Sequence, residues 1–193
     1  MAERSKVAPA EYLAWEREQP TKHEYLRGEV FAMSGGSYRH NALSANMITA
    51  LRAAFAGRSC TTFTSDQRVG VDGDRYVYPD VTIVCGAIAS ETGTRDVLVN
   101  PNVIVEVLSK STEEYDRGLT WEGYQRISSL TDYLLVSQVD ARVEPFRRDP
   151  DGGWHYRAFV SGERLRLTAG VELAVDTIYA GVLELPLADD QPA

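Results

Sequence analysis

The apolar positions of this chain change period several times, and each change marks an element. Leu43, Met47, Leu51 and Phe55 recur at every fourth position, the spacing of one helix face. A long helix is therefore predicted over Tyr38 to Ala56, stopped by Gly57. A shorter amphipathic helix is expected over residues 8 to 18, with Tyr12, Leu13 and Trp15 among glutamates and Pro20 beyond its end. Between the helices the period falls to two. His23 to Met33 reads as a hairpin turning near Arg27-Gly28, and Ser34-Gly35-Gly36-Ser37 as a loop.

After Gly57, short strands are predicted at Cys60 to Thr64, Arg68 to Val71, Tyr76 to Tyr78 and Val81 to Cys85, with Asp72-Gly73-Asp74 as a hairpin turn. Gly86 to Pro101 is polar and reads as a loop with little structure, and Asn102 to Leu108 as the next strand. Ser111-Thr112-Glu113-Glu114 has the form of a capping box, with Ser111 as N-cap and Glu114 at N3 of a helix running to about Ile127. Tyr133 to Ser137 reads as a buried strand, and Arg142 to Arg148 with Trp154 to Val160 as a hairpin. Two short strands, Leu165 to Leu167 and Val171 to Val175, precede a last helical turn over Thr177 to Val182. This order predicts an α/β fold with a mixed central β-sheet flanked by helices, plus extra β-hairpins. One domain is expected over residues 1–187, followed by a disordered tail at 188–193.

Two carboxylates interrupt this pattern. Asp80 follows Val77-Tyr78-Pro79 and opens Val81-Thr82-Ile83-Val84, and Glu106 sits inside Val103-Ile104-Val105-Glu106-Val107-Leu108. By the period-two rule, Glu106 shares a face with Ile104 and Leu108. An unpaired charge among apolar neighbours is costly. A divalent cation removes that cost, and carboxylates, carbonyls and water suit magnesium or manganese. On adjacent strands Asp80 and Glu106 can converge on one such ion, with the Val107 carbonyl as a further oxygen. The competing readings are a turn residue for Asp80 and a structural ion pair with an arginine for Glu106.

Composition narrows the function classes. The 193 residues are 44% hydrophobic and 25% charged, as in a globular soluble domain. The formal net charge of −8 argues against a broad basic surface for nucleic acid, though a bound metal would offset charge locally. No apolar run nears the roughly 20 residues of a membrane span, and the polar segment Met1 to Ala8 is no secretory signal. Cys60 and Cys85 lie in apolar, strand-like stretches without a CxxC or Cys/His cluster. They read as two buried free thiols, consistent with a cytoplasmic location.

Several segments together resemble the Uma-type restriction-endonuclease family within the PD-(D/E)XK nuclease superfamily. They are Glu24 to Val30, His40-Asn41, Tyr78-Pro79-Asp80-Val81, Val105 to Ser109, Ser111-Thr112, Tyr115-Asp116-Arg117-Gly118, Tyr124 and Tyr133 to Val136. The resemblance spans about residues 8 to 185. It implies a restriction-endonuclease-like core and magnesium-dependent (or manganese-dependent) DNA cleavage. It also implies that Asp80 and Glu106 hold the metal, with Glu24 joining them through a metal-bound water, and that a homodimer forms.

The resemblance breaks at the lysine that should orient the attacking water. Two residues after Glu106 stands Leu108, and four after Asp116 stands Thr120. Asp116, Thr120 and Tyr124 share one helix face by spacing, but without a cation. Lys110, just past the strand end, is the substitute expected to complete the catalytic set Asp80, Glu106 and Lys110. Arg117 is the other candidate, although a guanidinium cannot act as a base. His40, at a helix start, could meet a phosphate or assist a proton transfer. His23 and His155 have no partner pattern, and Trp154, Tyr156 and Phe159 read as hairpin packing. Two alternatives stand beside an active nuclease: a catalytically degenerate binding or regulatory module on the same fold, and a structural dimer whose acids form an ion-pair network.

Overall fold

The computed structural model describes residues 6–110 and 112–187. Helix α1 (Pro9–Glu16) leads into the hairpin β1 (His23–Leu26) and β2 (Glu29–Ala32), then α2 (Tyr38–Ala54). Strands β3 (Cys60–Thr64), β4 (Arg68–Gly70), β5 (Arg75–Val77), β6 (Val81–Cys85), β7 (Val97–Leu98) and β8 (Val103–Val107) follow. A compound helix comes next: α3 (Glu113–Tyr115), a π turn (Asp116–Thr120) and α4 (Trp121–Tyr124). The chain ends with β9 (Asp132–Val136), β10 (Arg142–Arg148), β11 (Trp154–Tyr156), β12 (Phe159–Val160), β13 (Arg164–Arg166), β14 (Glu172–Ala174) and α5 (Val175–Tyr179).

Two larger sheets form the frame. One runs β2-β1-β5-β4-β7; the other runs β11-β10-β9-β8-β6-β3, with β12 also on β10; β13 and β14 form a small ribbon. The sheets are mixed because β4 pairs β7 and β8 pairs β9 in parallel, while the other pairs are antiparallel. Parallel β8 and β9 need a crossover connection, and the compound helix lies within it.

The strand period divides β8 between two cores. Val103, Val105 and Val107 face a core built with Leu43, Met47 and Leu51 of α2. Ile104 and Leu108 face the other, with Tyr124 and Tyr133. Glu106 falls on this second face, as the alternation requires. Leu43, Met47 and Leu51 of α2 and Phe55 at its C-terminal cap are all buried, and Ser37 caps the helix start by accepting from the His40 amide at 3.1 Å. The Arg27-Gly28 turn uses positive φ at both residues, 49° and 94°, which suits a tight two-residue hairpin.

Three sequence expectations change. The segment predicted as an open loop, Gly86 to Pro101, carries β7, whose two residues are buried against β4. The helix predicted to be regular contains the π turn. The free-thiol reading of Cys60 and Cys85 is overturned: they form a disulfide. The β3–β6 register sets the two residues directly opposite, with Cα atoms 4.0 Å apart, a relation invisible without the pairing. The support that free thiols lent to a cytoplasmic location goes with them. Ser111 as N-cap and the expected tail at 188–193 lie outside the described residues; Thr112 precedes the first helical residue and makes no side-chain cap. Among the described residues, no helix is long and apolar enough to cross a membrane.

Candidate active site

Strands β6 and β8 are antiparallel neighbours with Val81 opposite Val105. One step further along that register, Asp80 stands opposite Glu106, and residues directly opposite project to the same face. Backbone groups then tie the two acids together. The Val107 amide donates to Asp80 Oδ2 at 2.8 Å, and the Asp80 amide approaches Glu106 Oε2 at 3.4 Å. The Tyr124 hydroxyl donates to Glu106 Oε1 at 2.7 Å, so the compound helix orients the strand carboxylate. Glu24 arrives from β1 in the other sheet, where its Oε1 accepts from the Tyr78 amide at 3.3 Å.

These groups line a cleft of about 1730 Å³ between the two sheets. Asp116 and Thr120 line the same cleft from the π turn. The expected common face of Asp116, Thr120 and Tyr124 is therefore present, with two lining the cleft and the third bonded to Glu106. Thr120 is buried. The widened turn is also held from behind. Buried Arg75 donates to the Leu119 carbonyl, and a side chain on Gly123 would run into that guanidinium.

The electrostatics of the cleft are those of too many acids in one place. Burial, then the charges of Asp116 and Asp80, push the Glu106 carboxyl well above the usual range; the Tyr124 hydrogen bond opposes this. Glu24 is pushed up to about 7, first by burial and then by Asp116 and Asp80, against the Tyr78 amide and Arg75. Asp116 is pushed up to about 6 by burial and by Asp80, against a hydrogen bond from Thr112 and the proximity of His40. Acids that raise one another's pKa in a cleft mark candidate functional sites.

Of the sequence-predicted site residues, Asp80, Glu106 and Glu24 meet here, and Lys110 lines the same cleft. Arg117 is committed elsewhere: it makes a two-pronged contact with Glu144 at 2.8 Å and a further bond to Glu113 at 2.8 Å. His23 is held by Glu16 at 3.0 Å. Trp154 packs edge-on to Trp121 of α4 and against its cross-strand neighbour Arg148. Sequence reasoning missed Asp116 as a member of the acid group and Tyr124 as the partner of Glu106, although both stood in the motif segments. His40 also lines the cleft, with its Nε2 3.2 Å from Asp80 Oδ2.

The donor set suits a hard divalent ion. Carboxylate oxygens gathered on one wall are the ligands magnesium and manganese take. Among the described residues no three His, Cys, Asp or Glu side chains form a ready-made cage. Magnesium does not need one, because it keeps several waters and binds through one or two carboxylates. Asp80 and Glu106 are the residues that could hold it, with Glu24 across a water.

A mixed α/β fold with an acid-lined cleft between its sheets defines a nuclease-like class of protein. Within that class, the chain belongs to the Uma2 family, described as "Putative restriction endonuclease", whose model matches residues 9–178. Two uncharacterised proteins of Synechocystis sp. are similar in sequence. One is 36% identical over 179 residues, covering 92% of this chain and 93% of that protein. The other is 32% identical over 149 residues, covering 77% and 84%. A crystal structure described as a putative nuclease belonging to DUF820, from Anabaena variabilis, shares the fold with a TM-score of 0.74. It is 14% identical and covers 90% of this chain and 97% of that one.

Proposed function

We propose that this protein is a divalent-metal-dependent endonuclease that hydrolyses DNA phosphodiester bonds, with magnesium or manganese as its metal. The observation that carries the reading is the convergence of Asp80, Glu106, Glu24 and Asp116 on one cleft, where burial and neighbouring charges raise the carboxyls of Glu106, Glu24 and Asp116. Such a cluster is relieved by a cation. A bound divalent ion would stabilise charge on a phosphoryl oxygen and lower the pKa of a water. Asp80 is aimed by the Val107 amide and Glu106 by the Tyr124 hydroxyl, so both would meet the ion in fixed orientations. Lys110, on the cleft wall beyond β8, takes the part of the missing lysine: its ammonium would orient the attacking water and offset charge on the phosphate.

The test is cleavage of supercoiled plasmid with magnesium and, separately, with manganese. Asp80→Asn and Glu106→Gln are each expected to lower the rate at least about 100-fold. Lys110→Ala is expected to lower it with the fold intact; an unchanged rate would remove Lys110 from the mechanism. No cleavage with either ion, together with no metal binding by calorimetry, would sink the nuclease reading.

A second reading is a catalytically degenerate member that binds nucleic acid or a protein partner. Thr120 favours it, because a buried threonine stands where the family's lysine is expected. Metal binding and DNA binding without cleavage would select it.

A further inference from the structure

We propose that His40 is itself a metal ligand beside Asp80, so that the site prefers manganese and other ions that accept nitrogen over magnesium. The proposal rests on the metal-site reading above and adds an imidazole to its ligands. Three observations carry it. His40 Nε2 lies 3.2 Å from Asp80 Oδ2, about the separation of two neighbouring donors bound to one ion at 2.0–2.2 Å each. Both side chains line the cleft and both keep partial access to it, 21% for His40 and 14% for Asp80.

The ring is also held in place. His40 occupies the first turn of α2, where Ser37 accepts from its amide at 3.1 Å. Its Nδ1 edge lies over Gly36, so that a Cβ at Gly36 would come within 2.7 Å of Nδ1. Only a glycine leaves room for this ring position. Asp80 is fixed in turn by the Val107 amide at 2.8 Å. One nitrogen and one oxygen, carried by different elements, are thus held side by side at the cleft wall.

Ligand chemistry then decides the metal. Carboxylate and water suit magnesium, calcium and manganese, whereas imidazole suits transition ions. Manganese is the ion common to an oxygen-rich set and a nitrogen ligand. A bare hydrogen bond between His40 and Asp80 predicts no such preference.

The experiment is pulsed electron paramagnetic resonance of the full-length protein loaded with Mn²⁺, with calorimetric titrations of Mn²⁺ and Mg²⁺ alongside. A directly bonded ¹⁴N coupling is expected in the unsubstituted protein and absent in His40→Gln while Mn²⁺ stays bound. His40→Gln should weaken Mn²⁺ at least about tenfold and leave Mg²⁺ nearly unchanged. Gly36→Ala, which keeps the histidine but crowds its ring, should weaken the same coupling. Mn²⁺ bound through Asp80 and Glu106 with no ¹⁴N coupling, and an unaltered ion preference in His40→Gln, would overturn the proposal while the nuclease site stands. An absence of Mn²⁺ binding altogether would overturn both.

Discussion

Glu106 and Glu144 occupy one row of the same sheet. Leu135 on β9 is the register partner of Glu106 on one side and of Glu144 on the other, so the two carboxylates lie two strands apart on a common face. Their surroundings are opposite. Glu144 receives both prongs of Arg117 at 2.8 Å, the Tyr156 hydroxyl at 2.8 Å and Arg142 at 3.0 Å. Arg117 and its companions hold its carboxyl below the usual range. Glu106 meets the Tyr124 hydroxyl, and burial, followed by the charges of Asp116, Asp80 and Glu24, pushes it well above the range. One acid is satisfied by the protein. The other is met by a hydroxyl and a backbone amide, neither of them cationic. The ion-pair-network reading describes Glu144 well and Glu106 poorly.

The widest separation between the two is expected in catalysis. Glu106→Gln should abolish plasmid cleavage, at least about 100-fold, whereas Glu144→Gln should leave the rate of the folded protein within about twofold. Equal loss in both would erase the distinction. In stability, the largest effect should come from neither acid. Replacing Cys60 and Cys85 together by serine removes the link that ties edge strand β3 to β6. It should cost about 2–4 kcal/mol in urea titrations without touching the acid-lined cleft. Glu144→Gln should then cost about 1–3 kcal/mol, because it leaves Arg117 with one charged partner fewer.

Glu106→Gln should do the reverse and stabilise the metal-free protein by about 1 kcal/mol at neutral pH, since it removes a carboxyl whose ionisation the fold opposes. The same logic fixes a pH trend. Glu24 rises from 4.5 to about 7 and Asp116 from 3.8 to about 6 on folding. A raised acid favours its protonated form in the native state, so the metal-free protein loses stability as pH climbs from about 4 to about 7. Thermal melts should show a falling Tm across that window, and saturating Mn²⁺ should restore it most at the upper end. A Tm that rises across the window would contradict the acid cluster.

Much of this contrast was legible in the chain. Asp80 and Glu106 betrayed themselves by breaking apolar runs, and the alternation of Ile104, Glu106 and Leu108 placed the carboxylate on its face correctly. The α2 face, the Arg27-Gly28 hairpin and strands β3, β6 and β10 follow from period and turn chemistry, which are local. What was missed depends on pairing between distant segments. The opposition of Cys60 and Cys85 is a register fact. So is the capture of Arg117 by Glu144 across 27 residues, which withdraws it from the cleft. The π turn escaped because Asp116 to Thr120 carries no local signal except Gly118, and it takes Arg75, from the other sheet, to hold its Leu119 carbonyl.

The acid-lined cleft also bears on how a substrate arrives. A chain of net charge −8 repels a polyanion before any contact is made, so diffusional encounter is opposed rather than steered. The screening length is about 10 Å at 0.1 M salt and about 30 Å at 0.01 M. Added monovalent salt should therefore shorten the reach of the repulsion and quicken capture of dilute DNA. Proteins that grip DNA through many lysines and arginines lose affinity over the same range. For this molecule the low-salt buffer would be the slow one, and divalent ions would serve as gatekeepers of approach as well as occupants of the cleft.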